Sequence, residues 1–286
     1  LKQTYRQIHA TPKPFVKWAG GKRQLISILN ENLPKTFGTY YEPFLGGGAL
    51  LFHILTEKNG PKCSISDLNS DLVLAYTTIR DRVDELISSL KSHEKNYQKD
   101  SKSYYYSVRY TNPRSEIEKT SRLLFLNRTC FNGLYRVNLK GKFNVPLGKY
   151  TNPNIVNEEN LHSVSDILQS SRVSIKCRDF EAVLRDAKKG DLVYFDPPYQ
   201  PVSETANFTS YTNKNFTFDD LSRLVELCMK LDSKGCKVLL SNSDSKQVSD
   251  MFAKRPWKVS KIQANRSINS NSKKRTGHFE LLIKNY

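Results

Sequence analysis

Cysteine is scarce in this chain and poorly placed for structural work. The 286 residues hold five, Cys63, Cys130, Cys177, Cys228 and Cys236, with no Cys-x-x-Cys spacing. That argues against a disulfide framework and a cysteine-based zinc site, and leaves reduced thiols as core filler. The five histidines, His9, His53, His93, His162 and His278, form no His-x-x-x-His pair, so no metal-dependent mechanism is expected. No run of 18 apolar residues exists, which argues against a membrane span, and the opening Leu-Lys-Gln-Thr has no apolar signal core. A cytoplasmic protein is therefore expected. Acid is also in short supply, with 28 Asp and Glu against 45 Lys and Arg, a formal charge of +17. The length suffices to bury one large core, or a core with an insert.

The excess charge is not spread evenly. Residues 95–150 carry a net +9 and residues 254–275 a net +8, together the whole surplus. Charge confined to two segments suits a polyanion, because each phosphate contact releases condensed counterions. The first segment interleaves its cations with aromatics such as Tyr104-Tyr105-Tyr106, Phe131 and Tyr135. A solvated basic surface over ordinary core aromatics would read the same way.

Hydrophobic spacing predicts an interrupted α/β domain. Tyr40-Tyr41-Glu42 reads as a short strand that ends at Gly46-Gly47-Gly48, with an apolar helix over 49–55. Ser64-Ile65-Ser66 is a second strand ending at Asp67, and a helix runs from Asn69 to about Lys91. Residues 92–165 lose the rhythm and read as a mostly helical, loop-rich insert. The rhythm resumes with a strand over 173–176, a helix over 180–188 and a strand over 192–195. A helix capped at Thr217 and closed at Gly235 follows, then strands over 237–241 and 279–284. Residues 1–91 and 166–286 thus form the α/β domain. Ser267 to Ser272 reads as a polar loop.

Two places carry chemistry. The glycine loop after the first strand lets backbone approach a ligand, and Asp67 stands at the next strand tip, where a carboxylate accepts ribose hydroxyls. The pattern is not Gly-x-Gly-x-x-Gly, since Leu51 fills the third slot, so a nucleoside cofactor is favoured over a dinucleotide. Asp196-Pro197-Pro198-Tyr199 ends another strand of the same sheet. Prolines stop the strand and fix its carbonyls. Asp196 and the Pro197 carbonyl could take both protons of an exocyclic amine while its ring stacks on Tyr199.

In order along the chain stand Phe15-Val16-Lys17-Trp18-Ala19-Gly20-Gly21-Lys22, Glu42-Pro43-Phe44-Leu45-Gly46-Gly47-Gly48, Asp67-Leu68-Asn69, Asn132-Gly133-Leu134-Tyr135-Arg136, Phe143-Asn144-Val145-Pro146 and Asp196-Pro197-Pro198-Tyr199. In this combination, from about residue 13 to residue 286, the sequence resembles the Dam-type DNA adenine-N6 methyltransferases of the α arrangement. The resemblance implies a Rossmann-like, S-adenosylmethionine-dependent methyltransferase sheet with an inserted DNA-recognition domain. It further implies double-stranded DNA as substrate, GATC as the site, and N6-methyladenine and S-adenosylhomocysteine as products, with no metal.

Carried over residue by residue, Trp18, Lys22, Phe44, Gly46, Gly48, Asp67, Asp179, Phe180 and Asp196 would line the cofactor site. Asp196, Pro197 and Tyr199 would be catalytic. Lys17, Arg128, Phe131, Asn132, Leu134, Arg136, Asn138, Asn144, Pro146, Lys149 and Tyr150 would meet DNA. Phe131 stands where the family often has tyrosine, and Tyr135 fills a variable slot. Arg136 suits a guanine edge, with a phosphate contact as the alternative, and Asn132 suits an adenine. Trp18 is either a site edge or core. The expected enzyme is a prokaryotic or viral, nucleoid-associated monomer on DNA, working beside a GATC restriction endonuclease or alone. An N4-cytosine methyltransferase more often carries Ser at position 196. An RNA adenine methyltransferase and a non-catalytic DNA-binding regulator on the same fold are the other readings.

Overall fold

The computed structural model describes residues 11–57, 60–138, 140–199, 216–264 and 278–286. After a 3-10 turn over Lys22–Leu25 come α1 (Ile26–Asn32), β1 (Tyr40–Glu42) and α2 (Ala49–Glu57). Next are β2 (Cys63–Asp67) and the long α3 (Ser70–Lys99), then α4 (Ser101–Tyr110), α5 (Glu116–Thr129) and α6 (Glu158–Ser170). The strand rhythm returns with β3 (Val173–Cys177), α7 (Val183–Asp186), β4 (Leu192–Phe195) and α8 (Phe218–Ser233). β5 (Lys237–Ser243), α9 (Lys246–Met251), β6 (Lys258–Ala264) and β7 (His278–Lys284) complete the described elements.

The strands form one sheet in the order β3-β2-β1-β4-β5-β7-β6. β7 pairs antiparallel with both its neighbours, and the remaining pairs are parallel. The chain leaves β1 toward β2 and β3, then restarts at β4 and travels the other way. A crevice opens at such a switch point, above the carboxyl ends of β1 and β4. This is the methyltransferase-type α/β sheet that the resemblance implied.

Period-2 alternation sorts the core onto the two faces. Tyr40, Leu192, Tyr194, Leu239 and Leu282 join one apolar cluster, with α2 and α3. Tyr41, Val193, Phe195, Val238, Leu240 and Ile283 join the other, with α8. Tyr105, Phe125 and Val145 of the insert share the first cluster with Leu50 and Ile65. The helix expected to end near Lys91 continues to Lys99, capped by Asn69 and bent at Arg82, where φ is −142°. It also binds α5 through Thr120 to Thr78 (3.1 Å) and Ser89 to Ser121 (2.9 Å).

Two local expectations change. The helix expected over 180–188 is a 3-10 turn, Phe180–Ala182, followed by the single turn of α7. The Thr217–Asp220 capping box forms as read. β6 was not foreseen, because Lys258 and Lys261 made its sequence look like a basic tract. It is an edge strand, where lysines blunt pairing with other chains. Lys261 pairs with Asp244 at 3.0 Å, and Lys258 donates to the Tyr286 backbone oxygen at 3.0 Å. Residues 265–275 of that basic window, with the loop Ser267–Ser272, lie outside the described residues. No helix among the described residues is long and apolar enough to cross a membrane.

Candidate active site

The site is built from strand ends. β1 stops at Glu42 and the chain turns through Gly46 (φ +49°) and Gly48 (φ +66°), a backbone region that side chains disfavour. Gly46 N–H donates to Asp67 Oδ2 at 3.0 Å, and Asn69 N–H donates to Oδ1 at 2.9 Å. A Cβ on Gly48 would strike the Tyr76 hydroxyl, which itself donates to the Gly46 carbonyl at 3.2 Å. Asp67 is thereby fixed at the tip of β2, with its carboxyl raised above the usual range by burial despite the N–H donors. Each of its oxygens keeps a lone pair for a hydroxyl pair such as that of a ribose.

Asp196 follows directly on the end of β4, and its side chain is 17% exposed. Lys22, only 5% exposed, reaches it from the turn before α1, with Nζ at 2.8 Å from Oδ1. The same ammonium donates to the Gly20 carbonyl at 2.9 Å, lies 3.6 Å from Glu280 Oε2 and sits 4.8 Å above the Tyr199 ring. Burial pushes the Asp196 carboxyl up to about 6, with Lys22 opposing and Glu280 reinforcing the shift. Beneath them Glu42 accepts a hydrogen bond from Tyr40 at 2.8 Å, and burial lifts its carboxyl to about 8. At neutral pH Glu42 is mostly protonated, and at the edge the carboxyl groups of Asp196 and Glu280 both face Lys22. These two carboxyls suit a cationic ligand, and the adjacent Asp67 suits a ribose, so the residues present fit S-adenosylmethionine.

The aromatic side of the crevice is set by Phe44 and Phe180, stacked with centroids 5.2 Å apart. Arg223 of α8 lies 4.9 Å over Phe180 and holds Asp179 at 3.1 Å, Glu181 at 2.6 Å and Asp220 at 2.8 Å. Trp18 packs against Gly46 and stacks on Tyr135 at 5.2 Å.

The insert gathers most of the expected DNA residues on one hairpin platform. Asn132 (φ +55°) and Gly133 (φ +66°) form its turn, with Phe131 43% exposed beside them. The side chain of Lys17 packs against Gly133 and reaches the Tyr150 hydroxyl at 3.3 Å. Buried Asn127 ties the Lys17 backbone to the Gly133 carbonyl. Arg136 donates from Nε to Asn144 Oδ1 at 2.8 Å, and Phe131 N–H donates to the Pro146 carbonyl at 2.8 Å. Leu134 is half-buried beneath this turn, and Lys149 is exposed.

Two expected DNA residues are already engaged by the chain's own backbone. Arg128 donates to the Phe15 carbonyl at 2.7 Å, its guanidinium destabilised by burial. Asn138 accepts from the backbone of Lys140 and Lys142 and shapes a tight turn.

Three residues at the site were assigned no role from the sequence. Glu280 carried a signal, being the sole acid from residue 251 to residue 286. Tyr135 joins the insert to the cofactor side by stacking on Trp18 and donating to Asp71 at 3.0 Å. For Arg223 the sequence offers only its i,i+3 spacing to Asp220, since Asp179 and Glu181 lie some forty residues away.

The family model for D12 class N6 adenine-specific DNA methyltransferases matches residues 18–268. The type II methyltransferase M.MjaIII of Methanocaldococcus jannaschii is 44% identical over 96% of this chain and 99% of its own. The type II methyltransferase M1.LlaDCHI of Lactococcus lactis subsp. cremoris is 40% identical over 96% and 95%. The DNA adenine methylase of Escherichia coli K12 is 31% identical over 94% of each. With the family model spanning the glycine loop, the insert and the Asp196 tetrapeptide alike, the chain belongs to the D12 class of N6 adenine-specific DNA methyltransferases.

Proposed function

We propose that this enzyme methylates the adenine of GATC in duplex DNA after turning the base out of the helix. The observation that carries the reading is the burial of Pro197 and the near-burial of Asp196 at the switch-point edge, where an amine that stays stacked in a duplex would not reach them. Phe131, exposed at the hairpin turn, would fill the gap the base leaves. At that edge the adenine would stack on Tyr199, and Asp196 and the Pro197 carbonyl would accept its two N6 protons. That aims the nitrogen lone pair and raises its electron density. When bound, S-adenosylmethionine supplies an electrophilic methyl group for direct in-line transfer, leaving S-adenosylhomocysteine. Asp196, with its carboxyl near 6, is ionised at neutral pH and basic enough to hold the proton the product amine releases.

Asp67 would hold the ribose, Phe44 with Asp179 and Phe180 the cofactor adenine, and Trp18, Gly46 and Gly48 the wall between. Lys22 would remain close enough for the cofactor's carboxylate. In the insert, Arg136, held by Asn144, would meet a guanine edge, and Asn132 would meet an adenine. Lys17, Leu134, Pro146, Lys149 and Tyr150 would position the duplex. This reading takes residues 92–165 as the recognition insert, the enzyme as a cytoplasmic monomer on DNA, and a GATC endonuclease as a functional counterpart.

The test is methyl transfer from labelled S-adenosylmethionine to matched duplexes with GATC or a scrambled site, followed by nucleoside analysis. N6-methyladenine in the GATC duplex alone is expected. Equal methylation of both would discard the site assignment and keep the chemistry.

A further inference from the structure

Two polar atoms in the cluster are buried without a hydrogen-bond partner among the described residues: the Tyr199 hydroxyl and Glu280 Oε2. They face one another, and the only charged group that meets Glu280 Oε2 among the described residues is Lys22. Glu280 reaches this spot because β7 is the reversed strand. Its start, opposite Ser243 at the end of β5, therefore lies at the carboxyl edge of its parallel neighbours. The carboxylate is 9% exposed.

The tightest contact nearby is the ion pair between Lys22 and Asp196. That pairing opposes the reaction in two ways. An ammonium on Asp196 draws electron density from the acceptor that must polarise the N6 amine. The same ammonium covers the Tyr199 ring on which the base would stack. Glu280 Oε2, 3.6 Å from Lys22 Nζ, is the other carboxylate in reach.

We infer that Glu280 is a positioning residue for methyl transfer, acting by drawing Lys22 off Asp196 and the Tyr199 face when the target base enters. The inference rests on the reading of Asp196 as the amine acceptor. Glu280 itself touches neither base nor cofactor in this scheme. Asp196 is faced by Lys22 from the turn before α1, Glu280 from β7, Glu42 from β1 and Tyr194 from its own strand, with Tyr199 in the loop beyond. Of these, Lys22 and Glu280 act on it in opposite directions. Removing the charge of Glu280 leaves Asp196 as the one carboxylate pairing with Lys22 among the described residues.

The experiment compares Glu280→Gln and Glu280→Asp with the parent enzyme. Glu280→Gln is expected to lower kcat on the order of 10- to 100-fold, with KM for DNA nearly unchanged. Its acid limb of kcat against pH should move to lower pH, and Glu280→Asp should recover much of the loss. Carboxyl NMR titration of Asp196 without cofactor gives a second readout, with the midpoint lower in Glu280→Gln than in the parent. An unmoved midpoint and unmoved acid limb would make Glu280 a buried strut. Should Glu280→Gln not fold, Glu280→Ala is measured by the same two readouts: a lowered kcat with a lowered Asp196 midpoint supports the inference, and parental values of both overturn it. Asp196→Asn is the separate control: if it stays active, the acceptor reading falls, whereas an inactive Asp196→Asn beside an unaffected Glu280→Gln removes the inference alone.

Discussion

The carboxyl edge of the sheet and the hairpin of the insert hold charge in opposite ways. At the edge, Lys22, Asp196, Glu280 and Glu42 are largely buried; burial raises the carboxyls of Glu42 and Asp196, and Lys22 and Glu280 act on Asp196 in opposite directions. On the hairpin, Lys149 is exposed and Arg136 is only half-buried, oriented by one neutral partner. Desolvated charges act on reactivity, because burial and neighbours decide which protonation state exists. Exposed charges act on recognition, through base edges and phosphates. Substitutions at the edge should therefore change turnover and pH behaviour, and those on the hairpin should change site choice and salt dependence.

The largest expected effect is at Asp196. Asp196→Ala should reduce turnover on the order of 10³-fold while DNA affinity, followed by gel shift, stays near parental. Loss of both together would erase the distinction between the two regions.

Glu42 tests the edge through stability. Its carboxyl is raised from its ordinary value to about 8, so the folded state favours the protonated form. That contribution is full below about 4.5 and drains away as pH rises through about 8, worth a few kcal/mol in order of magnitude. Asp196, raised to about 6, acts in the same direction over a lower range. Denaturant unfolding between pH 5 and 9 should show declining stability in the parent and a flatter profile in Glu42→Gln. An equal slope in both would mean that Glu42 is ionised in the fold.

Two arginines of one insert sharpen the comparison from the other side. Arg136→Ala should relax discrimination at one base of the site by ~1–3 kcal/mol, with the melting temperature unchanged. Arg128→Ala should do the reverse, because its guanidinium is tied to the Phe15 carbonyl. About 1–3 kcal/mol of stability should go, with sequence preference kept. Specificity and melting curves on both variants decide whether burial, rather than membership of the insert, divides the two roles.

Much of the edge was legible because strand ends, glycines and prolines have local causes. The stop of β4 before Pro197 and the turn through Gly46 and Gly48 follow from backbone geometry alone. The Thr217–Asp220 cap was legible for the same reason. What could not be read depends on pairing across distance. Glu280 enters the site because β7 runs backward, and Arg223 collects Asp179, Glu181 and Asp220 from two elements. Arg128 and Asn138 sit in motif-rich sequence, and only the fold decides that they face inward or close a turn. Charge counting failed in the same way at β6, where a strand pairing with β7 was hidden by its lysines.

The smallest effect separates the two basic windows. Lys149 is exposed near the hairpin platform, whereas Lys261 stands on an edge strand and is already paired with Asp244. If Lys149 meets a phosphate, Lys149→Ala should shrink the slope of log affinity against log salt by about 0.9, the counterion equivalent of one contact. Lys261→Ala should leave that slope alone, since a lysine serving edge protection releases no condensed counterion on binding. Fluorescence anisotropy at four or five salt concentrations resolves the difference. Equal slopes in the two variants would return β6 to the DNA footprint and would mean that the strand's lysines guard its edge only until the duplex arrives.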